Sequence, residues 1–126
     1  MNITGEIKIL LIVMGCIYAM FSLSGLYLIF NPPRKINSLF GYHSENASRN
    51  QANWDYANKL AGQLMFIIAN ISFVLALASV YFLQNKVPID GLWAICICLL
   101  CFSYVPLLPI VEIKLSKFEE VHKKQL

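Results

Sequence analysis

Most side chains that could take part in chemistry lie in one polar segment, NSLFGYHSENASRNQANWDYAN, residues 37–58. His43 stands there beside Ser44, Glu45 and Ser48, a set that offers a general base and a nucleophile. A lone histidine next to serines in a polar loop is ordinarily only solvated. We therefore expect no catalytic residue in this chain and no enzymatic activity.

Three cations, Arg34, Lys35 and Arg49, border this segment or lie within it. Guanidinium and ammonium groups bind phosphate oxygens through charge-assisted hydrogen bonds. Phosphate binding without chemistry fits these residues better than catalysis. We therefore interpret the three cations as anion contacts, for example to an anionic lipid.

The cysteines do not predict a metal site. Cys98 and Cys101 share one face of a helix, whereas Cys96 points away from both. Zinc usually takes four ligands, and no histidine or carboxylate lies nearby in the sequence to complete a set. With Cys16 isolated, we interpret all four as small apolar packing residues. No haem, dinucleotide or phosphate-loop fingerprint occurs, so we expect no metal and no cofactor.

These residues must be positioned by membrane helices, because 58% of the 126 residues are hydrophobic and only 13% are charged. As a helix with a rise of about 1.5 Å per residue, the charge-free stretch from Ile9 to Phe30 covers the roughly 30 Å hydrocarbon core. It is too long for a signal peptide and follows Glu6, so we expect it to be retained. We predict an all-α membrane protein, one domain over residues 1–126, with transmembrane spans at 9–30, 60–83 and 91–111.

The basic residues predict the orientation. Eight of the ten lie in the loop 31–59 or in the tail 112–126, which share a side because two spans separate them. The positive-inside rule places both in the cytoplasm and the N-terminus outside. Lysines beside anionic lipid then explain the net charge of +3, and we expect no nucleic acid partner.

Small residues at helical spacing predict a compact three-helix bundle, because they allow helix backbones to approach closely in lipid. The intramembrane amides Gln63 and Asn70 lie on nearly one helix face, and we expect them to form interhelical hydrogen bonds rather than contact a substrate. The oligomeric state stays open between a monomer and a homo-oligomer. The small residues are Gly15, Ala19 and Ser22; Gly62, Ala69, Ser72, Ala76 and Ser79; and Gly91, Ala94, Cys98 and Cys101.

Two pairs of prolines lie near the ends of predicted spans, one after the first span and one near the end of the third. Pro32 and Pro33 end the first helix. Pro106 and Pro109 are expected to kink or end the helix of the third span, so that the membrane segment stops near Leu108. The tail beyond is either a short amphipathic helix on the membrane surface or a frayed basic segment. Its apolar residues at helical spacing are Val111, Leu115, Phe118 and Val121.

The second helix is predicted to begin inside the polar segment. Gly41 permits a tight turn, and Ser48 followed by Gln51 fits a capping box. We expect the helix to continue from there into the second span. Its spacing places Trp54, Asn58 and Ala61 on one face, with the indole near the level of the lipid headgroups.

The segment PPRKINSLFGYHSENASRNQANWDYANKLAG resembles the signature of the SdpI/YfhL family of small bacterial membrane proteins. The family pattern is P-x-x-x-N, then G-Y-R-T, then S-x-x-N-x-x-x-W-x-x-A-N with a following glycine. Matching positions are Pro33, Asn37, Gly41, Tyr42, Ser48, Trp54, Ala57, Asn58 and Gly62, with Asn50 a near match.

This resemblance implies a bacterial inner-membrane protein related to an immunity protein, which protects cells against a secreted, membrane-active peptide toxin. That relative also signals by holding a repressor at the membrane. Here His43 replaces the arginine of the family pattern, so an anion contact at this position becomes pH dependent. The resemblance implies a ligand-binding signature loop made of Asn37, Gly41, Tyr42, His43, Ser48, Asn50, Trp54 and Asn58.

Two interpretations of this loop stay open. It binds a ligand such as a peptide toxin or an anionic lipid, or its asparagines and aromatics only fold it and hold it at the membrane interface. The alternative function is a transporter of lipids or small molecules, or a membrane-embedded enzyme, that uses the polar loop.

Overall fold

The computed structural model describes residues 3–36 and 39–123, and within them it contains helices and no strand. Three segments are long and apolar enough to cross a membrane: Thr4–Phe30, Gln51–Leu83 and Ile89–His122. The predicted all-helical class with three spans is confirmed. The helices are α1 (Ile3–Phe30), α2 (Gln51–Leu83), α3 (Ile89–Phe102) and α4 (Leu107–Lys123), with one 3-10 turn at Ala47–Arg49.

The third apolar segment is broken earlier than the sequence predicts. α3 ends at Phe102, and α4 begins at Leu107 and continues to Lys123. The predicted interruption at the prolines is therefore present, but it lies at residues 103–106 rather than near Leu108. Here the prolines lie at the start of α4. Pro106 O accepts a hydrogen bond from Ile110 N at 3.1 Å. Pro109 lies in the first turn, where a backbone N–H has no acceptor within the helix, so the missing N–H of proline costs nothing. With its 14 residues, α3 is about 21 Å long, so it does not cross the hydrocarbon core alone.

α1 and α2 touch most closely at two glycines. A Cβ on Gly62 would lie 2.9 Å from Gly25 O and 2.8 Å from Leu28 Cβ, and a Cβ on Gly25 would lie 2.8 Å from Phe66 N. Only glycine therefore allows this backbone approach. The sequence prediction included Gly62 and missed Gly25.

Other small residues divide between the interface and the outer surface. Ala69, Ser72 and Ala76 are buried between the helices, as predicted. A Cβ added to Gly15 would have nothing within 4 Å, so its assignment to an interface is wrong.

The four cysteines differ in burial. Cys16, Cys98 and Cys101 are exposed, and only Cys96 packs in the core, because the helix rotation is fixed by the larger side chains around it.

The two intramembrane amides differ in their surroundings. Asn70 accepts a hydrogen bond from Tyr18 Oη at 3.1 Å, which is the interhelical bond expected of it. Gln63 is exposed, although it lies on nearly the same face of α2. Among the described residues Gln63 has no interhelical hydrogen bond, so this prediction holds for Asn70 alone.

Apolar side chains form two core clusters along the bundle. One joins α1, α2 and α3 around Leu10, Met14 and Leu92. The other lies at the opposite end, where α4 packs Val111 and Leu115 against Ala57 and Ala61 of α2 and against the loop. α4 is thus part of the fold, and it closes the end of the bundle at which the polar loop lies.

Replacing Gly62 with Ala is expected to lower the free energy of unfolding by about 1–3 kcal/mol, because its methyl group would overlap backbone atoms of α1. The measurement is thermal unfolding in detergent. The matched control is Gly15→Ala, which adds the same methyl group where nothing lies within 4 Å. Equal melting midpoints for the two variants would contradict the proposed crossing point.

Candidate functional site

The candidate site is a cap on one end of the bundle. We use this name for loop residues 31–36 and 39–50, the first turns of α2, and α4. At its centre Asn58 is completely buried. Its Oδ1 accepts from Tyr42 N at 2.6 Å, and its Nδ2 donates to Trp54 O at 2.9 Å. One amide therefore attaches the loop backbone to α2.

Gly41 allows the loop backbone to come close enough to Asn58 for this hydrogen bond. Its φ of +107° is a conformation that side chains with a Cβ rarely adopt. A Cβ here would also overlap Asn58 Oδ1 and lie 2.8 Å from Pro33 Cγ. The loop can therefore press its backbone against Asn58 only because residue 41 is glycine.

Trp54 fixes the other side of the loop. Its indole is completely buried, and Nε1 donates to Pro33 O at 2.8 Å. His43 lies edge-on to the indole with ring centroids 5.3 Å apart, and its Nδ1 is 2.8 Å from Gly41 O. The predicted shared face of Trp54, Asn58 and Ala61 is confirmed, because all three are buried against the cap.

The start of α2 differs from the prediction. Asn50 is the N-cap, with Oδ1 accepting from Asn53 N at 2.8 Å. Ser48 lies in the preceding 3-10 turn and is exposed, so the predicted Ser48 capping box is wrong. The physical reason is that Asn50 already has the extended backbone of an N-cap and supplies an oxygen three residues before a free N–H.

Two glutamates of α4 bind the loop from the other side. Glu112 Oε1 accepts from Tyr42 Oη at 2.9 Å, and Glu112 Oε2 accepts from Asn46 Nδ2 at 2.8 Å. About two turns later, Glu119 accepts a hydrogen bond from Asn53 Nδ2. Sequence reasoning missed Glu112, Asn46, Asn53 and Glu119, and the only signal was a carboxylate directly after the third apolar stretch.

The three predicted anion contacts do not form one site. Arg49 Nη1 lies 3.6 Å from Glu119 Oε2, and Arg49 Nη2 donates to Asn46 Oδ1 at 2.9 Å, so its cation serves the contact between loop and α4. Arg34 lies elsewhere, in the turn after α1, where its carbonyl accepts from Gln51 Nε2 at 3.0 Å. Lys35 is exposed beside it. Asn37 lies outside the described residues.

Of the residues considered for catalysis, Ser44 and His43 contact the rest of the cap. Ser44 Oγ accepts from Ala47 N at 3.0 Å and opens the 3-10 turn. Glu45 and Ser48 are exposed. His43 contacts Gly41 and Trp54, as described above, and these contacts position its ring at the edge of the cap.

An apolar groove of about 420 Å³ lies under the cap. It is formed by the end of α1, α2, the start of α4 and the loop, and Phe40 and Leu108 at its sides are about half exposed. Its size is within the range of small-ligand pockets. The lining residues are Ser24, Leu28, Leu39, Phe40, Gly41, Tyr42, His43, Ala61, Met65, Leu107 and Leu108.

Comparison with known protein families gives one match. The model of the SdpI/YfhL protein family matches residues 34–110, which is more than half of the chain. The chain belongs to the SdpI/YfhL family. No curated protein and no solved structure matches it significantly.

The matched region begins in the turn after α1 and ends in the first turn of α4. Of the residues in the predicted signature loop, Tyr42, Trp54 and Asn58 are buried, and they hold the cap together. Glu112 and Glu119 lie beyond the matched residues and complete the same hydrogen-bond network.

The Tyr42 phenol is a protonated donor at the centre of this network. Burial, followed by the hydrogen bond to Glu112, raises the pKa of Tyr42, so its phenol stays protonated and donates to Glu112 Oε1 at 2.9 Å. The second carboxylate oxygen of Glu112 accepts from Asn46 Nδ2, so both oxygens are used to hold the loop.

Replacing Asn58 with Ala is expected to loosen the cap by about 1–3 kcal/mol, because the buried Tyr42 N–H loses its acceptor. The measurement is limited proteolysis of the loop in detergent. Asn85→Ala is the control, since Asn85 is exposed at the other end of α2. Unchanged cleavage of the Asn58 variant would show that the loop does not depend on this amide.

Replacing Glu112 with Gln is expected to loosen the contact between α4 and the loop, because Tyr42 Oη and Asn46 Nδ2 would have one amide oxygen in place of two carboxylate oxygens. Glu112→Gln should melt at a lower temperature than the wild type at pH 7. Glu120→Gln, an exposed change on the same helix, should behave like the wild type. Equal melting temperatures for the wild type and Glu112→Gln would contradict this assignment.

Proposed function

We propose that this protein is a non-catalytic membrane protein that protects its cell against a membrane-active peptide toxin, by binding an apolar part of the peptide in the groove under the cap. Membership of the SdpI/YfhL family supports a role like that of its immunity proteins. The observation that carries the proposal is the apolar groove of about 420 Å³ beneath the buried signature residues.

The structure of the cap suits such binding. Its loop is tied to α2 through Asn58 and Trp54 and to α4 through Glu112, so the groove is held open before a ligand arrives. A preformed site binds with a smaller loss of conformational entropy. A peptide already dissolved in the bilayer would enter between Phe40 and Leu108, the half-exposed residues of the groove wall.

The proposed setting is the inner membrane of a bacterium, with the cap in the cytoplasm and the N-terminus outside. The distribution of basic residues supports this orientation, since loop and tail carry most of them. In this setting the protein would intercept the peptide on the cytoplasmic half of the bilayer. The partners are then the lipid bilayer and the peptide, and no nucleic acid is involved.

Filling the groove is expected to remove protection. Met65 lines the groove, so Met65→Trp should weaken peptide binding by about tenfold or more, or about 1.4 kcal/mol. The readout is a lower survival of a sensitive bacterium challenged with a panel of membrane-active peptides. The matched control is Ile67→Trp, which places the same side chain on the exposed outer face of α2.

Two further results bear on this proposal. Trp54→Ala should also abolish protection, because it removes the buried indole and its bond to Pro33 O. Full protection by Met65→Trp at the wild-type expression level would overturn the groove as the binding site. Failure of the wild type to protect against every peptide of the panel would overturn the immunity role itself.

A further inference from the structure

A second groove, of about 580 Å³, lies where α1 ends, and Phe40 is the wall that it shares with the first. Unlike the first, it contains a formal charge, that of Arg34. Phe30 and Tyr27 on its outer side are 73% and 52% exposed, at the end of a span, where lipid headgroups meet acyl chains. The residues that line it are Tyr27, Phe30, Asn31, Pro32, Pro33, Arg34 and Phe40.

The turn that carries Arg34 is held in place by α2. Trp54 Nε1 donates to Pro33 O at 2.8 Å, and Gln51 Nε2 donates to Arg34 O at 3.0 Å. Tyr27 and Phe40 meet edge to face across the groove, with ring centroids 5.3 Å apart. The backbone on both sides of Arg34 is therefore fixed, which distinguishes this arginine from one that moves freely at a membrane surface.

The groove combines a cation with partial negative charge. Among the described residues Arg34 forms no ion pair, so its guanidinium can donate hydrogen bonds to a phosphate. α1 ends at Phe30, which lines the groove, so the carbonyl of Phe30 lacks the N–H donor that a continuing helix would supply. The end of a helix also carries partial negative charge and favours a cation.

We propose that this groove binds the headgroup of an aminophospholipid from the adjacent leaflet. The phosphate contacts Arg34, and the ammonium group donates to the carbonyl of Phe30 at the end of α1. The acyl chains follow the exposed rings of Phe30 and Tyr27 into the bilayer. This site lies outside the peptide groove and goes beyond the proposed function.

The charges at the groove favour an ethanolamine headgroup over the other common phospholipid headgroups. An anionic glycerol headgroup offers no cation to the carbonyl at the end of α1. A choline headgroup has the same charges as ethanolamine, but its methylated nitrogen has no N–H to donate. Phosphatidylethanolamine is therefore the lipid that satisfies both ends of the groove.

The test presents the purified full chain in detergent with equimolar phosphatidylethanolamine, phosphatidylcholine and phosphatidylglycerol of identical acyl chains, and measures the retained lipid by native mass spectrometry. We expect phosphatidylethanolamine to be retained about tenfold over each of the others, and R34Q to reduce this preference to about twofold or less. The control K86Q removes an exposed cation at the other end of α2 and should retain the preference.

Each alternative result overturns the site. Equal retention of the ethanolamine and choline lipids would indicate ordinary annular lipid, and preferred retention of phosphatidylglycerol would indicate a contact with the cation alone. An unchanged preference in R34Q would exclude the arginine. Met65→Trp should retain the lipid preference, since Met65 does not line this groove, so loss of peptide protection and loss of lipid binding are distinguishable.

Discussion

The buried amide of Asn58 is the contact on which the cap depends. Its oxygen accepts from the backbone of the loop, and its nitrogen donates to the preceding turn of α2, so both hydrogen-bonding groups are satisfied within the protein. A fully buried amide without these partners would be costly, because its polar groups would be removed from water without compensation. Gly41 is required for the same contact, since any Cβ there would overlap the Asn58 oxygen.

Around this amide the cap is built from hydrogen bonds between neutral donors and a few carboxylates. Glu112 and Glu119 on α4 accept from Tyr42, Asn46 and Asn53, which come from the loop and from the start of α2. α4 is therefore attached by polar contacts on one side and by Val111 and Leu115 on the other. This double attachment gives the two grooves fixed walls at the membrane boundary.

The spans are held together by a different physical principle. In lipid, apolar burial drives little association, so helices meet where small residues allow close backbone contact. The Gly25 and Gly62 crossing does this near the cap, and the bond between Tyr18 and Asn70 adds a polar contact farther along. The crossing lies close to both grooves, so the packing of α1 on α2 also sets the position of the turn that carries Arg34.

The sequence by itself determined the membrane class, the three apolar segments, the polar loop between the first two and the face of α2 that carries Trp54 and Asn58. These features depend on composition and helical spacing within short stretches, which can be read along the chain. Only the tertiary structure decided which glycines lie at the crossing of α1 and α2 and where α3 ends. It also decided that Arg49 contacts α4 through Glu119, whereas Arg34 lines a groove. The partners of Glu112 show why: Tyr42 is 70 residues away, and such contacts depend on how the helices rotate and cross rather than on local sequence.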